Sequence, residues 1–141
     1  EIAAPKVEGF DRPVHRIGLD GAALTAADQS VDAVVSTWTM CTIPDLAGAL
    51  GEMARVLRPG GQLHFVEHSL APSTGVARVQ RTIQPAWGHV SGGCHVDRDI
   101  ARMVTEAGFS EGGIRSRYAS GFLPAKPFGW FVYGSVGRQI K

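Results

Sequence analysis

The stretch Ser30–Glu67 decides the fold, and it reads SVDAVVSTWTMCTIPDLAGALGEMARVLRPGGQLHFVE. It opens with Asp32–Thr37, a short β-branched segment typical of a buried parallel strand. Asp45 can cap a helix, because its carboxylate accepts hydrogen bonds from free backbone N–H groups. Apolar residues then recur at helical spacing over Leu46–Leu57, and Leu63–Glu67 has the pattern of a second strand. The stretch therefore predicts a βαβ unit whose right-handed crossover makes the two strands parallel.

Further elements flank this unit. Val14–Leu19 has the pattern of a short strand. Arg98–Ala107 predicts a helix that Asp97 caps. Two more strands are predicted at Ile114–Ala119 and Trp130–Val136. Helical segments that alternate with short β-branched segments indicate an α/β fold.

Composition narrows the class of protein. The 141 residues suit a single domain, and a net charge of +1 with scattered basic residues excludes a nucleic-acid footprint. We see no apolar run long enough to span a bilayer and no signal-peptide pattern. Cys41 and Cys94 form no disulfide framework, so a reducing cytoplasm is expected, and Cys41 is interpreted as a small buried hydrophobe.

A longer motif carries a family resemblance: D-x-V-V-S-T…P-D…A-L-x-E-x-x-R-V-L-R-P-G-G-x-L-x-F-x-E-H, from Asp32 to His68. It resembles the fourth and fifth strand region of class I S-adenosylmethionine-dependent methyltransferases. Pro85-Ala86-Trp87, Gly93-Cys94 and Arg98 are similar to the branch that methylates small molecules, including alkyl thiols. The resemblance implies a Rossmann-like sheet, mostly parallel with an antiparallel carboxyl-terminal end. It also implies S-adenosylmethionine as cofactor and a small-molecule acceptor whose sulfur, nitrogen or oxygen atom is left open.

The resemblance also implies cofactor-binding residues. Asp20, followed by Gly21, lies where an acidic side chain accepts a hydrogen bond from the adenine amino group. The alternative is a turn aspartate before glycine. Ser36, Thr37 and Trp38 follow the central strand, and ligands of open parallel sheets bind outside the carboxyl ends of the strands. Trp38 remains open to a second interpretation as a core or lid side chain.

Glu67 and His68 end the next strand and are predicted to face the same crevice. A glutamate beside a histidine can orient an acceptor or remove its proton, which makes both residues catalytic candidates. A structural pairing of Glu67 at the strand end is the alternative. Methyl transfer also needs little acid–base help, because positioning supplies much of the rate.

The acceptor is expected to meet Leu70–Gly93 and the residues that follow it. A loose helical stripe begins this region, and we expect Pro85 to end the helix. Trp87, Cys94 and His95 are the candidate substrate-binding residues. Cys94 and His95 are adjacent and lack the spacing of zinc ligands, so no metal site is predicted.

One part of the family pattern is not found in the chain. The glycine-rich loop E/D-x-G-x-G-x-G, which holds the methionine end of the cofactor, has no counterpart here. In the family's strand order, 3-2-1-4-5-7-6, the resemblance therefore covers the carboxyl-terminal two-thirds of one methyltransferase domain. The alternative function is a catalytically impaired remnant that acts as a binding or partner subunit. We expect this chain alone to bind S-adenosylmethionine weakly and to turn over little.

In the family's strand order, the first strand lies beside the strand that corresponds to Asp32–Thr37. No counterpart of that first strand is found in this sequence. Unpaired backbone groups at an apolar edge must find partners. We therefore predict that Val14–Leu19, a second copy of the chain or a separately supplied N-terminal segment covers this edge.

Overall fold

A computed structural model describes residues 11–15, 18, 20–119 and 123–139. The helices and strands within these ranges follow in chain order: β1 Val31–Thr37, α1 Leu46–Val56, β2 Leu57–His68, α2 Thr74–Val90, α3 Ile100–Glu106, β3 Ile114–Tyr118, a 3-10 helix Leu123–Phe128 and β4 Trp130–Gly137. None of the described helices combines the length and the apolar character that a membrane span needs.

The described strands form one sheet in the order β1-β2-β4-β3. β1 and β2 are parallel, as the βαβ prediction requires, and α1 makes the crossover. β4 runs antiparallel to both β2 and β3. The sheet is thus Rossmann-like with an antiparallel carboxyl-terminal end, which confirms the predicted α/β fold class. The expectation of a mostly parallel sheet does not hold among the described strands, because one of their three pairs is parallel and two are antiparallel. Among the described residues, β1 pairs with β2 alone and forms one edge of the sheet.

The predicted helix Leu46–Leu57 is confirmed as α1 with nearly the same bounds. The Asp45 carboxylate caps it by accepting from the Gly48 N–H at 2.9 Å. β2 begins directly after the helix, earlier than the predicted Leu63. The parallel register then shifts between the Val31–Leu57 pair and the Ala33–Gln62 pair, so the Pro-Gly-Gly turn forms an irregularity inside the strand.

The two faces of the sheet differ. On one face, alternate residues of β2 and β4 join apolar residues of α1 and α3 in the core, which includes Leu50, Leu63, Phe65, Ile100, Val104, Phe109, Val132 and Val136. On the other face, Val35 is 73% exposed. Because side chains alternate along a strand, Glu67 points into the core side and His68 points to the opposite, more open side.

Three sequence predictions need correction or fall partly outside the described residues. In the predicted strand Val14–Leu19, the described residues Val14, His15 and Gly18 are not in a strand, and positions 16, 17 and 19 lie outside the described ranges. The helix α3 begins later than predicted, and its cap is Asp99, which accepts from the Arg102 N–H at 3.2 Å. Asp97, the predicted cap, instead lies near His95, with 3.6 Å between carboxylate and ring nitrogen.

The prediction that Pro85 ends a helix is wrong, because α2 continues through it to Val90. A proline inside a helix costs one backbone hydrogen bond. Tertiary hydrogen bonds from two buried side chains offset this cost. Gln80 binds the backbone of Ala71 and Ser69, and Gln84 binds the backbone after the helix. Sequence periodicity does not register these long-range contacts.

Candidate active site

The carboxyl ends of β1 and β2 bring several predicted site residues together. Ser36 and Thr37 pair in register with Phe65 and Val66 of β2. The Trp38 N–H continues the ladder by donating to the Val66 carbonyl at 3.0 Å. The loop after β1 and the end of β2 therefore lie side by side, as expected for the ligand edge of a parallel sheet.

Glu67 holds this loop in place. Its side chain is fully buried, at 0% exposure. One carboxylate oxygen accepts from the Ser36 hydroxyl and the Thr39 N–H, both at 2.9 Å, and the other accepts from the Cys41 N–H at 3.2 Å. A buried carboxylate needs such partners, since an unpaired one is costly. These bonds show the structural pairing that the sequence left open for Glu67, and its catalytic role stays a prediction.

Trp38 lies on the opposite side of the sheet. Its backbone is in the left-handed region at φ 56°, an uncommon conformation for an aromatic residue. The indole is 55% exposed and contacts the rings of His68, at 4.9 Å between centroids, and Phe131, at 5.4 Å. The strained turn thus directs the indole outward, which favours a surface or lid role over a core role.

His68 is half-buried beneath Trp38 and also contacts Phe131, at 4.6 Å between ring centroids. Burial lowers the pKa of the imidazole, and the negative charge of Glu67 opposes this shift only in part. The neutral imidazole therefore predominates near neutral pH and can accept a proton or bind a metal ion.

Two buried thiols complete the neighbourhood of His68. The Sγ atoms of Cys41 and Cys94 are 3.5 Å apart, and the Cys94 Sγ is 3.6 Å from the His68 Nδ1. Burial is the main cause that raises the pKa of the Cys41 thiol, and the neighbouring Cys94 and Glu67 add to it. The sequence prediction that Cys41 is buried is confirmed. Its contact with Cys94 was missed, because nothing in either local sequence indicates a pairing across 53 positions.

The three predicted substrate-binding residues do not form one group in the structure. Cys94 lies against Cys41 and His68, whereas the His95 ring lies near Gln84, at 3.2 Å, and near Asp97. Trp87 packs on Phe128, at 4.4 Å between ring centroids. The buried indole N–H of Trp87 has no hydrogen-bond partner among the described residues.

A cavity of about 690 Å³ lies on the open face of the sheet. Trp38, Val66, Phe131 and Tyr133 supply its apolar wall, and Arg117 adds a charge. A larger cavity of about 1020 Å³ lies between α2 and β3. Its lining includes Leu70, Ala77 and Arg81 of the region expected to meet the acceptor, but none of the residues predicted individually as site residues. The smaller cavity is the better candidate for the site, because it touches the carboxyl ends of the strands.

Asp20 and Gly21 lie on the loop before β1. The exposed Asp20 carboxylate accepts from the Ala22 N–H at 2.9 Å, which is the geometry of an Asx turn. A side chain at Gly21 would lie 3.3 Å from Ile43 and 3.6 Å from Ala49, so the loop packs closely on the start of α1. The structure thus holds Asp20 near the loop that follows β1.

A network of ion pairs and hydrogen bonds holds the rest of the loop before β1 against α1. Glu52 accepts from the Leu24 N–H at 2.9 Å and pairs with Arg55 at 2.7 Å. Arg55 also donates to the Leu24 and Ala26 carbonyls and pairs with Asp28. The hydrogen bond from Arg55 is the main cause that lowers the pKa of Glu52. Sequence reasoning missed this network, since it depends on the fold of an irregular loop.

Comparisons with known proteins agree with this fold. The methyltransferase domain model matches residues 3–65. The chain is 35% identical over 118 residues to thiol S-methyltransferase TMT1B of Rattus norvegicus, a match that covers 82% of this chain and 46% of that protein. It is 44% identical over 61 residues to a demethylmenaquinone methyltransferase of Corynebacterium glutamicum, covering 43% of this chain and 26% of that protein. The chain thus spans less than half the length of these curated relatives.

A solved structure extends the agreement to the whole fold. The structure of an S-adenosylmethionine-dependent methyltransferase from Methanosarcina mazei matches with a TM-score of 0.61 at 17% identity, covering 86% of this chain and 66% of that one. At this identity the likeness concerns the fold alone. Taken with the sequence matches and the strand order, it supports a class I S-adenosylmethionine-dependent methyltransferase.

Proposed function

We propose that the chain forms part of an S-adenosylmethionine-dependent methyltransferase whose acceptor is a small thiol. The observation that carries the choice of acceptor is the extent of the match. Similarity to the thiol S-methyltransferase from rat covers 82% of the chain, whereas similarity to the demethylmenaquinone enzyme covers 43%. Since both relatives are named methyltransferases, an enzyme is favoured over a non-catalytic subunit.

The cofactor site in this proposal lies between the loop before β1 and the loop after it. Asp20 accepts a hydrogen bond from the adenine amino group, and Gly21 keeps this loop close to α1. Ser36, Thr37 and Trp38 form the neighbouring wall. The exposed carboxylate of Asp20 supports the proposal, because its second oxygen has no hydrogen bond within the described part of the chain.

S-adenosylmethionine supplies an electrophilic methyl group on a good leaving group, so the residues mainly have to position the acceptor. His68 is the candidate to accept the proton of the thiol, because burial keeps the imidazole neutral. Glu67 contributes by fixing the loop 38–41 through two hydrogen bonds and the end of β1 through a third. The apolar walls of the 690 Å³ cavity suit an acceptor with an alkyl or aryl body.

The proposal includes a cover for the edge strand β1. A second copy of the chain or a separate N-terminal segment would pair with the edge of β1 that faces away from β2. Within the described part of the chain β1 pairs with β2 alone, which supports such a cover. Size-exclusion chromatography with light scattering tests the first option, and a monomer at all concentrations would exclude a second copy.

Calorimetric titration with S-adenosylmethionine tests the cofactor assignment. We expect saturable but weak binding at one site per chain, since the glycine-rich loop has no counterpart in this sequence. No detectable binding by folded protein would contradict the proposal and favour the non-catalytic alternative. A parallel titration with NAD serves as the specificity control and should give no heat of binding.

A further inference from the structure

The side chains of Cys41, His68 and Cys94 form a compact group that we name the thiol–imidazole cluster. Their sulfur and nitrogen donor atoms all lie within 4.8 Å of one another. We propose that this cluster binds a thiophilic divalent cation, Zn²⁺, through the two sulfur atoms and the Nδ1 atom of His68. The proposal adds a metal site to the methyltransferase fold and does not depend on the identity of the acceptor.

The separations of the donor atoms match zinc coordination. Zinc binds sulfur at about 2.3 Å and imidazole nitrogen at about 2.0–2.1 Å, so tetrahedral ligands lie about 3.8 Å apart for two sulfurs and about 3.6 Å apart for sulfur and nitrogen. The structure has 3.5 Å between the two Sγ atoms and 3.6 Å between the Cys94 Sγ and the His68 Nδ1. Two of the three donor pairs are therefore near the distances that a bound ion requires, and the third pair, Cys41 and His68, lies within 4.8 Å.

The backbone around Cys41 and Cys94 is fixed by hydrogen bonds. The Cys41 N–H donates to Glu67, and the Cys41 carbonyl accepts from the His95 N–H at 2.7 Å. The Cys94 carbonyl accepts from the buried side chain of Gln84 at 3.1 Å. Contacts of this kind orient metal ligands in proteins and are part of their affinity.

The chemistry of the donors also favours a cation. Zn²⁺ prefers sulfur and imidazole donors, and two sulfurs with one imidazole nitrogen are a usual zinc ligand set. A coordinated thiol loses its proton, and two thiolates balance the charge of the ion.

Simple apolar packing is the competing explanation. Cys41 and Cys94 pack with Val96 and Trp87 in a small buried cluster, and free cysteines are common in such places. In this explanation the contact between the Cys94 Sγ and the His68 Nδ1 is a thiol–imidazole hydrogen bond. Apolar packing also predicts no metal affinity, which separates the two explanations by experiment.

Three protein ligands leave the fourth tetrahedral position open, which is the arrangement of catalytic zinc sites. In the zinc-bound protein His68 is a ligand and no longer the base. A small thiol in the fourth position would then bind as its thiolate, a consequence that rests on the proposed function. Zn²⁺ binding is measured without methyl transfer. An absent metal site can therefore be distinguished from an absent thiol methyltransferase activity.

Titration of the reduced, metal-free protein with Co²⁺ tests the site directly. We expect one equivalent to bind and to produce the intense near-ultraviolet charge-transfer absorption of cobalt–thiolate bonds, which Zn²⁺ then displaces. A folded wild-type protein without this absorption would overturn the proposal. So would a disulfide between Cys41 and Cys94 that persists under reducing conditions.

A matched pair of variants locates the ion. His68→Phe keeps the stacking with Trp38 and Phe131 but removes the nitrogen ligand, and we expect it to weaken Zn²⁺ binding by at least about 100-fold. His95→Gln changes a neighbouring histidine outside the cluster and should leave the affinity unchanged. Equal zinc affinity in wild type and His68→Phe would assign the ion to another place and overturn the proposed ligand set.

Discussion

The hydroxyl of Ser36 donates a hydrogen bond of 2.9 Å to the carboxylate of Glu67 in the core of the protein. The two residues lie on neighbouring parallel strands, at the edge where a class I methyltransferase holds its ligands. The same carboxylate also accepts from the N–H groups of Thr39 and Cys41. One buried side chain therefore determines the path of the loop that contains Trp38.

Replacing Glu67 with glutamine should destabilise the protein by about 1–3 kcal/mol, because the amide turns one acceptor into a donor that faces a backbone N–H or a hydroxyl. The midpoint of urea unfolding measures the effect. Glu111→Gln, an exposed change of the same type, should shift stability by less than about 0.5 kcal/mol. An unchanged midpoint in Glu67→Gln would show that the three hydrogen bonds are not needed.

The pair Glu52–Arg55 predicts a specific dependence of stability on pH. Arg55 lowers the pKa of Glu52 below its ordinary value of 4.5, so its contribution to stability is fully present above that value. The contribution is lost as pH falls through the lowered pKa of the folded state. Urea midpoints between about pH 6 and pH 3 should fall less steeply in Glu52→Gln than in wild type. Identical pH profiles would exclude the pair as a source of acid sensitivity.

Two substitutions of Asp20 distinguish its role in the turn from the role of its carboxylate in cofactor binding. Asp20→Ala should weaken S-adenosylmethionine binding by about 1–3 kcal/mol if the carboxylate accepts from adenine in a dry site. Asp20→Asn keeps an oxygen for the Ala22 N–H and so preserves the turn. Calorimetry measures both affinities. If Asp20→Ala binds as tightly as wild type, Asp20 is a turn residue only.

Gln84 links helix α2 to the segment that contains Cys94. Its side chain donates to the Cys94 carbonyl at 3.1 Å and accepts from the Val96 N–H at 3.0 Å. Gln84→Ala leaves both backbone groups without these partners and should cost about 1–3 kcal/mol of unfolding free energy. The exposed Gln62→Ala serves as control in the same urea titrations. Equal midpoints for the two variants would mean that water replaces the lost bonds.

The sequence predicted the parts of the fold that depend on local periodicity. The spacing of apolar residues in α1, its Asp45 cap and the β-branched composition of β1 were sufficient for the βαβ unit. Features that depend on distant contacts escaped this reasoning. Pro85 lies inside a helix whose preceding turn is held by the hydrogen bonds of two buried side chains, Gln80 and Gln84.

The candidate site also contains residues whose positions local sequence predicts and residues whose positions depend on distant contacts. The positions of Ser36, Thr37 and Trp38 follow from the rule that ligands meet the carboxyl ends of parallel strands. The approach of Cys94 to Cys41 and His68 depends on the chain path after α2, which no local pattern encodes. The adjacent pair Cys94 and His95 suggested one site, yet in the structure the two side chains have different neighbours.

Transfer of a labelled methyl group tests the central claim most directly. The protein is incubated with S-adenosylmethionine that has a deuterated methyl group, together with a small alkyl thiol and the matching alcohol and amine. We predict that mass spectrometry detects the deuterated methyl group on the sulfur of the thiol, in amounts that grow with protein concentration. No transfer to the thiol by folded protein, or transfer to the alcohol or amine alone, would contradict the assignment as a thiol methyltransferase.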